Sequence, residues 1–150
     1  MTGTSVVYEG KLQNMTTYPS VHVCLPIDNR APMAARQSLR LLEAYMPAEA
    51  IQDVYLLVTE LVSNSVKHAS LMSDHQVQVD AAPTSRGVRV EVANRGGAQL
   101  ANKLPEKAEE SGWGLLLVTK IASRWGIATN GRTLIWFEID LGREPPALSA

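Results

Sequence analysis

Residues 47–70, with the sequence PAEAIQDVYLLVTELVSNSVKHAS, predict a long amphipathic helix around which the rest of the fold is arranged. Apolar residues recur every three or four positions, the spacing that gives a helix one buried face. This predicted core face comprises Val54, Leu57, Val58, Leu61, Val62 and Ala69. Beside it, Glu60, Asn64 and His68 follow one another four residues apart. Each step of four residues turns a side chain by about 40°, so the three polar groups form a slowly drifting stripe.

This polar stripe has two interpretations. In the first it is the ordinary polar edge of a surface helix, with Lys67 and His68 near the C-terminal end, where cations are favoured. In the second it is a site, because the amide oxygen of Asn64 suits Mg²⁺ and the carboxylate of Glu60 can orient or deprotonate a nucleophile. The stripe alone leaves both interpretations open.

The segments before this helix predict one strand and one further helix. Residues 21–27 (VHVCLPI) form an apolar run that predicts a strand ending near Pro26. Residues 29–46 predict a helix with Pro32 in its first turn and with four core residues, Met33, Leu39, Leu42 and Met46. Cys24 lies within the apolar run, which favours a buried, inert thiol over a reactive one.

The segments after the helix predict two hairpins separated by a helix. Residues 76–82 and 88–94 alternate in polarity around a turn, which is typical of antiparallel strands. Residues 113–125 predict a helix that Gly126 ends, and residues 128–141 predict a final hairpin turning at Asn130-Gly131. The element order predicts an α+β, two-layer sandwich: a mostly antiparallel, mixed sheet covered on one face by about three helices.

Length and composition indicate one domain and exclude several classes of partner. A chain of 150 residues with a net charge of -1 has no strong field to attract nucleic acid or anionic lipid. A single cysteine excludes an internal disulfide and fits a cytoplasmic location, and no apolar run is long enough to span a membrane. We expect a flexible segment over 1–19, with at most one edge strand, a domain over 20–141 and a disordered tail over 142–150.

Two glycine-containing segments are further candidates for a site. In EVANRGGAQ, residues 91–99, a strand runs into Asn94 and is followed by Gly96 and Gly97, which permit close approach of a ligand or form a plain turn. In SGWGLLLV, residues 111–118, Gly112 and Gly114 come just before the predicted helix. Free N–H groups at a helix start attract phosphate, although a GxG before a helix is weak by itself.

Taken in chain order, the ExxxNxxxH stripe, the strand ending in NxGG and the GxGLxLV segment resemble the GHKL family of ATPases and kinases. The chain is most similar to the anti-sigma factor serine/threonine kinases of actinobacterial type. The resemblance covers roughly residues 20–140 and includes ELVSNSVKHA (60–69), GWGLLLVTKIASRWGI (112–127) and GRTLIWFEI (131–139). It implies the histidine-kinase-like ATPase fold.

The resemblance assigns roles to individual residues, with ATP or ADP and Mg²⁺ as cofactors. Asn64 would hold the Mg²⁺ ion, and Glu60 would be the base that acts on a substrate serine. The remaining nucleotide-binding positions would be His68, Asn94, Gly96, Gly112, Gly114, Leu115 and Thr133.

One motif departs from the family pattern. The family has an Asp followed by GxG, and that Asp accepts the amino proton of adenine, whereas this chain has Asn94, Gly96 and Ala98 at the matching positions. Asn still offers an acceptor oxygen, but it adds an N–H₂ donor and carries no charge. The substitution leaves open weaker ATP binding, a different base, or no nucleotide.

The function implied by the resemblance is an anti-sigma factor that sequesters a sigma factor and phosphorylates a serine of an anti-anti-sigma protein. It would be a cytoplasmic homodimer, paired through the N-terminal strand and first helix, without direct contact with nucleic acid or membrane. The alternative is a non-catalytic module of the same fold that binds its protein partner with degenerate or altered nucleotide specificity.

Overall fold

Five strands and three α-helices make up the part of the chain that the computed structural model describes, residues 19–68, 76–95, 113–129 and 133–141. In chain order they are β1 (Val21–Pro26), α1 (Ala31–Ser38), a 3₁₀ helix (Arg40–Ala44), α2 (Ala48–His68), β2 (Gln76–Pro83), β3 (Gly87–Arg95), α3 (Trp113–Ile121), β4 (Arg124–Thr129) and β5 (Thr133–Asp140). Residues 1–18 of the predicted flexible segment, the predicted tail over 142–150 and the predicted Asn130-Gly131 turn lie outside the described residues. No described helix has the length and hydropathy of a membrane span.

The strands form one sheet in the order β1-β2-β3-β5-β4. Every pairing among the described strands is antiparallel, so the parallel element implied by a mixed sheet is absent from them. Alternate residues of β1 and β2 are buried, as are Val88, Val90 and Val92 of β3, and the register aligns these core residues: Val79 lies opposite Val92, and Val90 lies opposite Phe137. This alignment gives the sheet one core face, which α1 and α2 help to cover. The predicted α+β sandwich is confirmed.

Helix α2 supplies the other half of the core. Of its six predicted core residues, Ala69 lies outside the described residues and the other five are buried: Val54, Leu57, Val58, Leu61 and Val62. The helix contacts α1, α3, β3 and β5. The apolar periodicity of the sequence therefore places α2 correctly over the centre of the sheet.

The segment predicted as one helix over 29–46 is broken in two. From Leu39 onward its N–H groups bond three residues back, as in Leu42 N–H to the Leu39 carbonyl at 2.9 Å, which marks the tighter 3₁₀ geometry. Leu39 and Leu42 then lie on one side and are buried, as is Met46. The prediction that Met33 is a core residue is wrong. Ala31 and Ala35 form the buried side of α1, and Met33, two positions from each, is 67% exposed.

The predicted helix over 113–125 is also shorter than expected. Helix α3 ends at Ile121, and Gly126, expected to stop it, lies inside the edge strand β4. Gly126 pairs with Trp136, and a Cβ atom there would lie 2.7 Å from the Trp136 Nε1 atom. The guanidinium of Arg89 lies 4.1 Å from the centre of a ring of Trp136. Glycine is therefore required because the indole packs against the β4 backbone.

Cys24 was expected to be buried, and this too is wrong. It is half-buried, because Val23 and Leu25 take the core side of β1 and leave Cys24 on the opposite face of the sheet, called the open face because neither α1 nor α2 covers it. Its Sγ atom lies 3.9 Å from Nε2 of His22, whose Nδ1 atom pairs with Asp80 on β2. The cysteine thus belongs to a polar row on the open face.

Tyr55 joins α2 to the 3₁₀ helix. It is a buried residue whose hydroxyl donates to Oε1 of Glu43 at 2.6 Å, and the guanidinium of Arg36 lies 4.8 Å from the centre of its ring. Burial, and then the hydrogen bond and charge of Glu43, raise the pKa of Tyr55 to about 12 from 10.0. Because the folded state holds this proton more tightly, Tyr55 stabilises the fold below pH 10, and that contribution is lost as the pH rises through 12.

We expect Gly126→Val to lower the free energy of unfolding by about 1–3 kcal/mol, the usual cost of forcing a side chain into an occupied space. The control is Ala128→Val, two residues along the same strand on the same face, where the exposed alanine leaves room. Urea denaturation followed by tryptophan fluorescence measures both variants. Equal stability of the two would contradict the proposed packing of Trp136 on Gly126.

We expect Tyr55→Phe to cost about 1.5–3 kcal/mol at pH 8, the range for a hydrogen bond to a charged group. It should also flatten the loss of stability between pH 10 and pH 12, because the variant lacks the proton that the folded state retains. Urea denaturation at pH 8, 10 and 11.5 provides the comparison, with Tyr45→Phe as a more exposed tyrosine control. A pH profile identical to that of the original chain would refute the linkage.

Candidate functional site

The polar stripe of α2 lies at the edge of the helix–sheet core. Glu60 and Asn64 are both half-buried, while Leu61 between them is buried. Ser65 also turns into the core, where its hydroxyl is satisfied by donating to the Leu61 carbonyl at 3.1 Å. His68 is the last residue of α2, and its side chain lies outside the described residues. The structure thus places one carboxylate and one amide on a single flank of α2, partly shielded from water.

A second pair of polar groups lies on the sheet, where β3 ends and β5 begins. The printed register pairs Ala93 with Leu134, so its continuation by one residue sets Asn94 opposite Thr133. Both side chains belong to the core face, because they lie two positions from Val92 and Ile135 respectively. The register therefore brings together two residues that are 39 positions apart in the sequence, 133 minus 94.

These two residues carry the unsatisfied polar atoms of the described core. Oδ1 of Asn94 and Oγ1 of Thr133 are both inaccessible to water, and neither has a hydrogen-bond partner. Thr133 is only 4% exposed as a residue. Buried polar atoms are nearly always paired in native proteins, so an adjacent unpaired amide oxygen and hydroxyl require a physical explanation. A ligand presenting a polar edge to both atoms would satisfy them.

Several chain segments reach this edge of the sheet. Strand β2 begins here, because Gln76 pairs with both Pro26 and Arg95, and residues 69–75 link it to the end of α2. Gly96 and Gly112 lie outside the described residues. Helix α3 already begins at Trp113, so Gly114 lies in its first turn instead of before it, and Leu115 is half-buried. The first-turn N–H groups of a helix have no acceptor within the helix, which makes them suitable donors to an anion.

The described residues contain no cluster of three or more His, Cys, Asp or Glu side chains that could hold a metal ion. A magnesium ion near Asn64 would therefore take its other ligands from the phosphates of a nucleotide and from water. That coordination is usual for Mg²⁺, which keeps several waters and seldom binds in cages made of protein alone. Among the described residues, the donor set fits a nucleotide-bound Mg²⁺ ion.

The sequence analysis missed the polar network on the open face of the sheet. Arg124 on β4 donates from Nε to Glu138 at 3.1 Å and also bonds Asp140, both on β5. The hydrogen bonds to Asp140 and then to Glu138 raise the pKa of Arg124 above its usual value. On β3, Arg89 pairs with Glu91 at 3.1 Å. Charged residues alternate with core residues in β3 and in β5. Only the register reveals which charged side chains of neighbouring strands lie close together.

Comparisons with known proteins agree with this architecture. The profile of the histidine kinase-like ATPase domain family matches residues 28–139. A crystal structure of the RsbU and RsbW domains of Rv1364c from Mycobacterium tuberculosis superposes with a TM-score of 0.63 at 25% sequence identity. The alignment covers 83% of this chain and 33% of that one, so this protein spans about a third of its structural relative. No curated protein sequence matches the chain.

The family match extends from just after β1 to the end of β5 and includes Asn94, Thr133 and the whole of α2. The predicted GHKL-type fold is thereby confirmed. The chain belongs to the histidine kinase-like ATPase domain family.

Proposed function

We propose that the protein is a nucleotide-binding regulator of the anti-sigma type. It binds ATP or ADP with Mg²⁺, sequesters a sigma factor and phosphorylates a serine of an anti-anti-sigma protein. The observation that carries nucleotide binding is the unsatisfied pair of Asn94 and Thr133 at the end of the core face. The regulatory role is supported by similarity to a structure that contains an RsbW domain.

The unsatisfied pair favours a heterocyclic base as ligand. A buried polar atom without a partner costs about 1–3 kcal/mol, so binding a complementary edge recovers free energy already lost in folding. Oδ1 of Asn94 accepts a proton from an exocyclic amino group, and the hydroxyl of Thr133 donates to a ring nitrogen. The neighbouring Val92 and Ile135 offer apolar surface to a flat ring.

The other side of the proposed site handles phosphate. The amide oxygen of Asn64 would ligate Mg²⁺, which when bound neutralises charge on the phosphate oxygens. The first turn of α3 contributes backbone N–H donors, and His68 and the glycines at 112 and 114 complete the proposed phosphate contacts. Base recognition thus belongs to the sheet, and phosphate recognition belongs to the two helices.

Glu60 is the proposed catalytic base. Its half-buried carboxylate lies one helical turn before Asn64, on the same flank of α2. It would orient the hydroxyl of the substrate serine and accept its proton as the serine oxygen bonds to the γ-phosphorus of ATP, while the bond from that phosphorus to the β–γ bridging oxygen breaks and ADP leaves. A base beside the metal ligand is compatible with in-line phosphoryl transfer.

Exposed apolar side chains provide a candidate partner surface. Met33 on α1, Tyr45 after the 3₁₀ helix (51% exposed) and Leu56 on α2 all present large apolar groups to solvent. Met46, which the sequence predicts as a core residue, is buried and does not belong to this set. We propose that these exposed side chains contribute to protein binding, and homodimerisation through the first helix and N-terminal strand is part of the same proposal.

The second candidate function is a binding module without kinase activity. The observation that favours it is Asn94 itself, since loss of the family's Asp would accompany loss of catalysis in a degenerate member. Both candidates share the sheet and α2, and they differ in whether Glu60 acts on a hydroxyl.

We expect Asn64→Ala to weaken Mg-ATP binding by about tenfold or more, equivalent to roughly 1.4 kcal/mol, through loss of the metal ligand. Isothermal titration calorimetry with ATP in the presence of Mg²⁺, and again in the presence of EDTA, should show the loss only with Mg²⁺. Ser63→Ala, a half-buried neighbour on the same helix, is the control. Unchanged Mg-ATP affinity in Asn64→Ala would remove Asn64 from the site.

We expect Glu60→Gln to slow serine phosphorylation at least about 100-fold, within the range for loss of a general base, while ATP affinity changes little. The assay incubates the purified protein with Mg-ATP and its anti-anti-sigma protein and detects phosphoserine by mass spectrometry. Glu49→Gln, an exposed residue in the first turn of α2, is the control. ATP binding without any phosphorylation by the original chain would establish the non-catalytic module.

A further inference from the structure

We propose that Asn94 and Thr133 form a base-reading pair that accepts guanine as well as adenine. This inference rests on the proposed nucleotide site and extends it to the choice of base. It starts from the two adjacent unsatisfied atoms, Oδ1 of Asn94 and Oγ1 of Thr133, on the core face of the sheet. No charged side chain belongs to this pair.

Adenine and guanine present opposite hydrogen-bonding patterns on their Watson–Crick edges. Adenine has an amino donor next to a ring-nitrogen acceptor, whereas guanine has a carbonyl acceptor next to a ring N–H donor. A carboxylate has acceptors only, so it matches the amino group of adenine and repels the carbonyl of guanine. With the purine held in this orientation, a site with a carboxylate at this position therefore favours adenine over guanine.

An amide and a hydroxyl can match both patterns. Turning the terminal amide of Asn94 by half a rotation exchanges its oxygen for its N–H₂ group, and the hydroxyl of Thr133 rotates between donor and acceptor. With adenine, Asn94 accepts and Thr133 donates. With guanine, Asn94 donates to the carbonyl and Thr133 accepts from the ring N–H. Each purine can therefore form two hydrogen bonds, one with Asn94 and one with Thr133.

The surroundings do not force one orientation. Oδ1 of Asn94 has no hydrogen bond that would hold the amide in place. The nearest positions on the same face are Val77, which pairs with Asn94, together with Val92 and Ile135. These side chains are apolar and cannot discriminate between donor and acceptor edges. Base selection at the described part of this face thus depends on Asn94 and Thr133 alone.

Calorimetry with Mg-ADP and Mg-GDP tests the inference on the full chain. We expect dissociation constants within about tenfold of each other, since each purine makes the same number of hydrogen bonds. Inorganic tripolyphosphate, which lacks a base, serves to measure binding through phosphate alone and should bind more weakly than either. The original chain suffices for this measurement, so the result does not depend on a variant that folds.

The variant Asn94→Asp then tests the role of Asn94 in base selection. The variant should keep or strengthen ADP binding and weaken GDP binding at least about 50-fold, because the carboxylate cannot donate to the guanine carbonyl. Gln76→Glu adds the same charge at an exposed position on the same edge of the sheet and should leave the ADP-to-GDP ratio unchanged. Thr133→Val, which keeps the shape and removes the hydroxyl, should weaken both nucleotides by a similar factor.

The outcomes separate this inference from the proposed function. ADP binding with at least 100-fold selectivity over GDP would overturn dual recognition and leave nucleotide binding intact. GDP binding that survives Asn94→Asp would overturn the role of Asn94. Binding of neither nucleotide, or binding no tighter than that of tripolyphosphate, would overturn both proposals.

Discussion

The antiparallel register between β3 and β5 is the constraint on which the rest of the structure depends. It sets Val90 opposite Phe137 and thereby decides which residues of the two central strands lie under the helices. Because side chains alternate with a period of two, a slip of one residue would turn every valine of β3 to the open face. The same register carries Asn94 to a position opposite Thr133. The core and the candidate base site are therefore specified together.

Thr133 is a residue that lowers the stability of the fold and is proposed to serve the site. Valine has nearly the same shape, suits a strand and would pack on this face without an unsatisfied atom. A threonine buried to 4% exposure with an unpaired hydroxyl instead lowers the stability of the described core. The valine-rich faces of β1, β2 and β3 supply enough apolar burial to tolerate that cost. The ligand proposed above would give this hydroxyl a partner, which the described residues do not.

How much of this could be predicted from the sequence depended on whether a pattern was local. The strands β2 and β3 and the buried face of α2 followed from periodicity, because each pattern is repeated several times within its element, and β1 followed from a short apolar run. Trp125 fits a helical period after Ile121, and nothing nearby in the sequence reveals that β5 pairs with it. The prediction that Met33 is a core residue was wrong for a related reason. The two alanines that define the buried side of α1 carry a weaker apolar signal than a methionine. The candidate site was located by the resemblance of its motifs to the GHKL family, whereas the placement of Asn94 opposite Thr133 emerged only from the register.

The helix layer and the sheet layer carry different parts of the proposed site, and this separation affects how the substitution at Asn94 is interpreted. The groups proposed for chemistry, Glu60 and Asn64, are fixed by α2, whereas the pair proposed to read the base is fixed by two strands of the sheet. A substitution that exchanges a carboxylate for an amide on β3 alters the hydrogen-bonding edge without altering the spacing of the acid and amide on the helix. It also removes a charge that would otherwise have to be desolvated on a face lined by valine and isoleucine. A neutral base-reading residue is thus compatible with intact phosphate chemistry. Loss of the family's Asp is therefore not by itself evidence that the site is catalytically inactive.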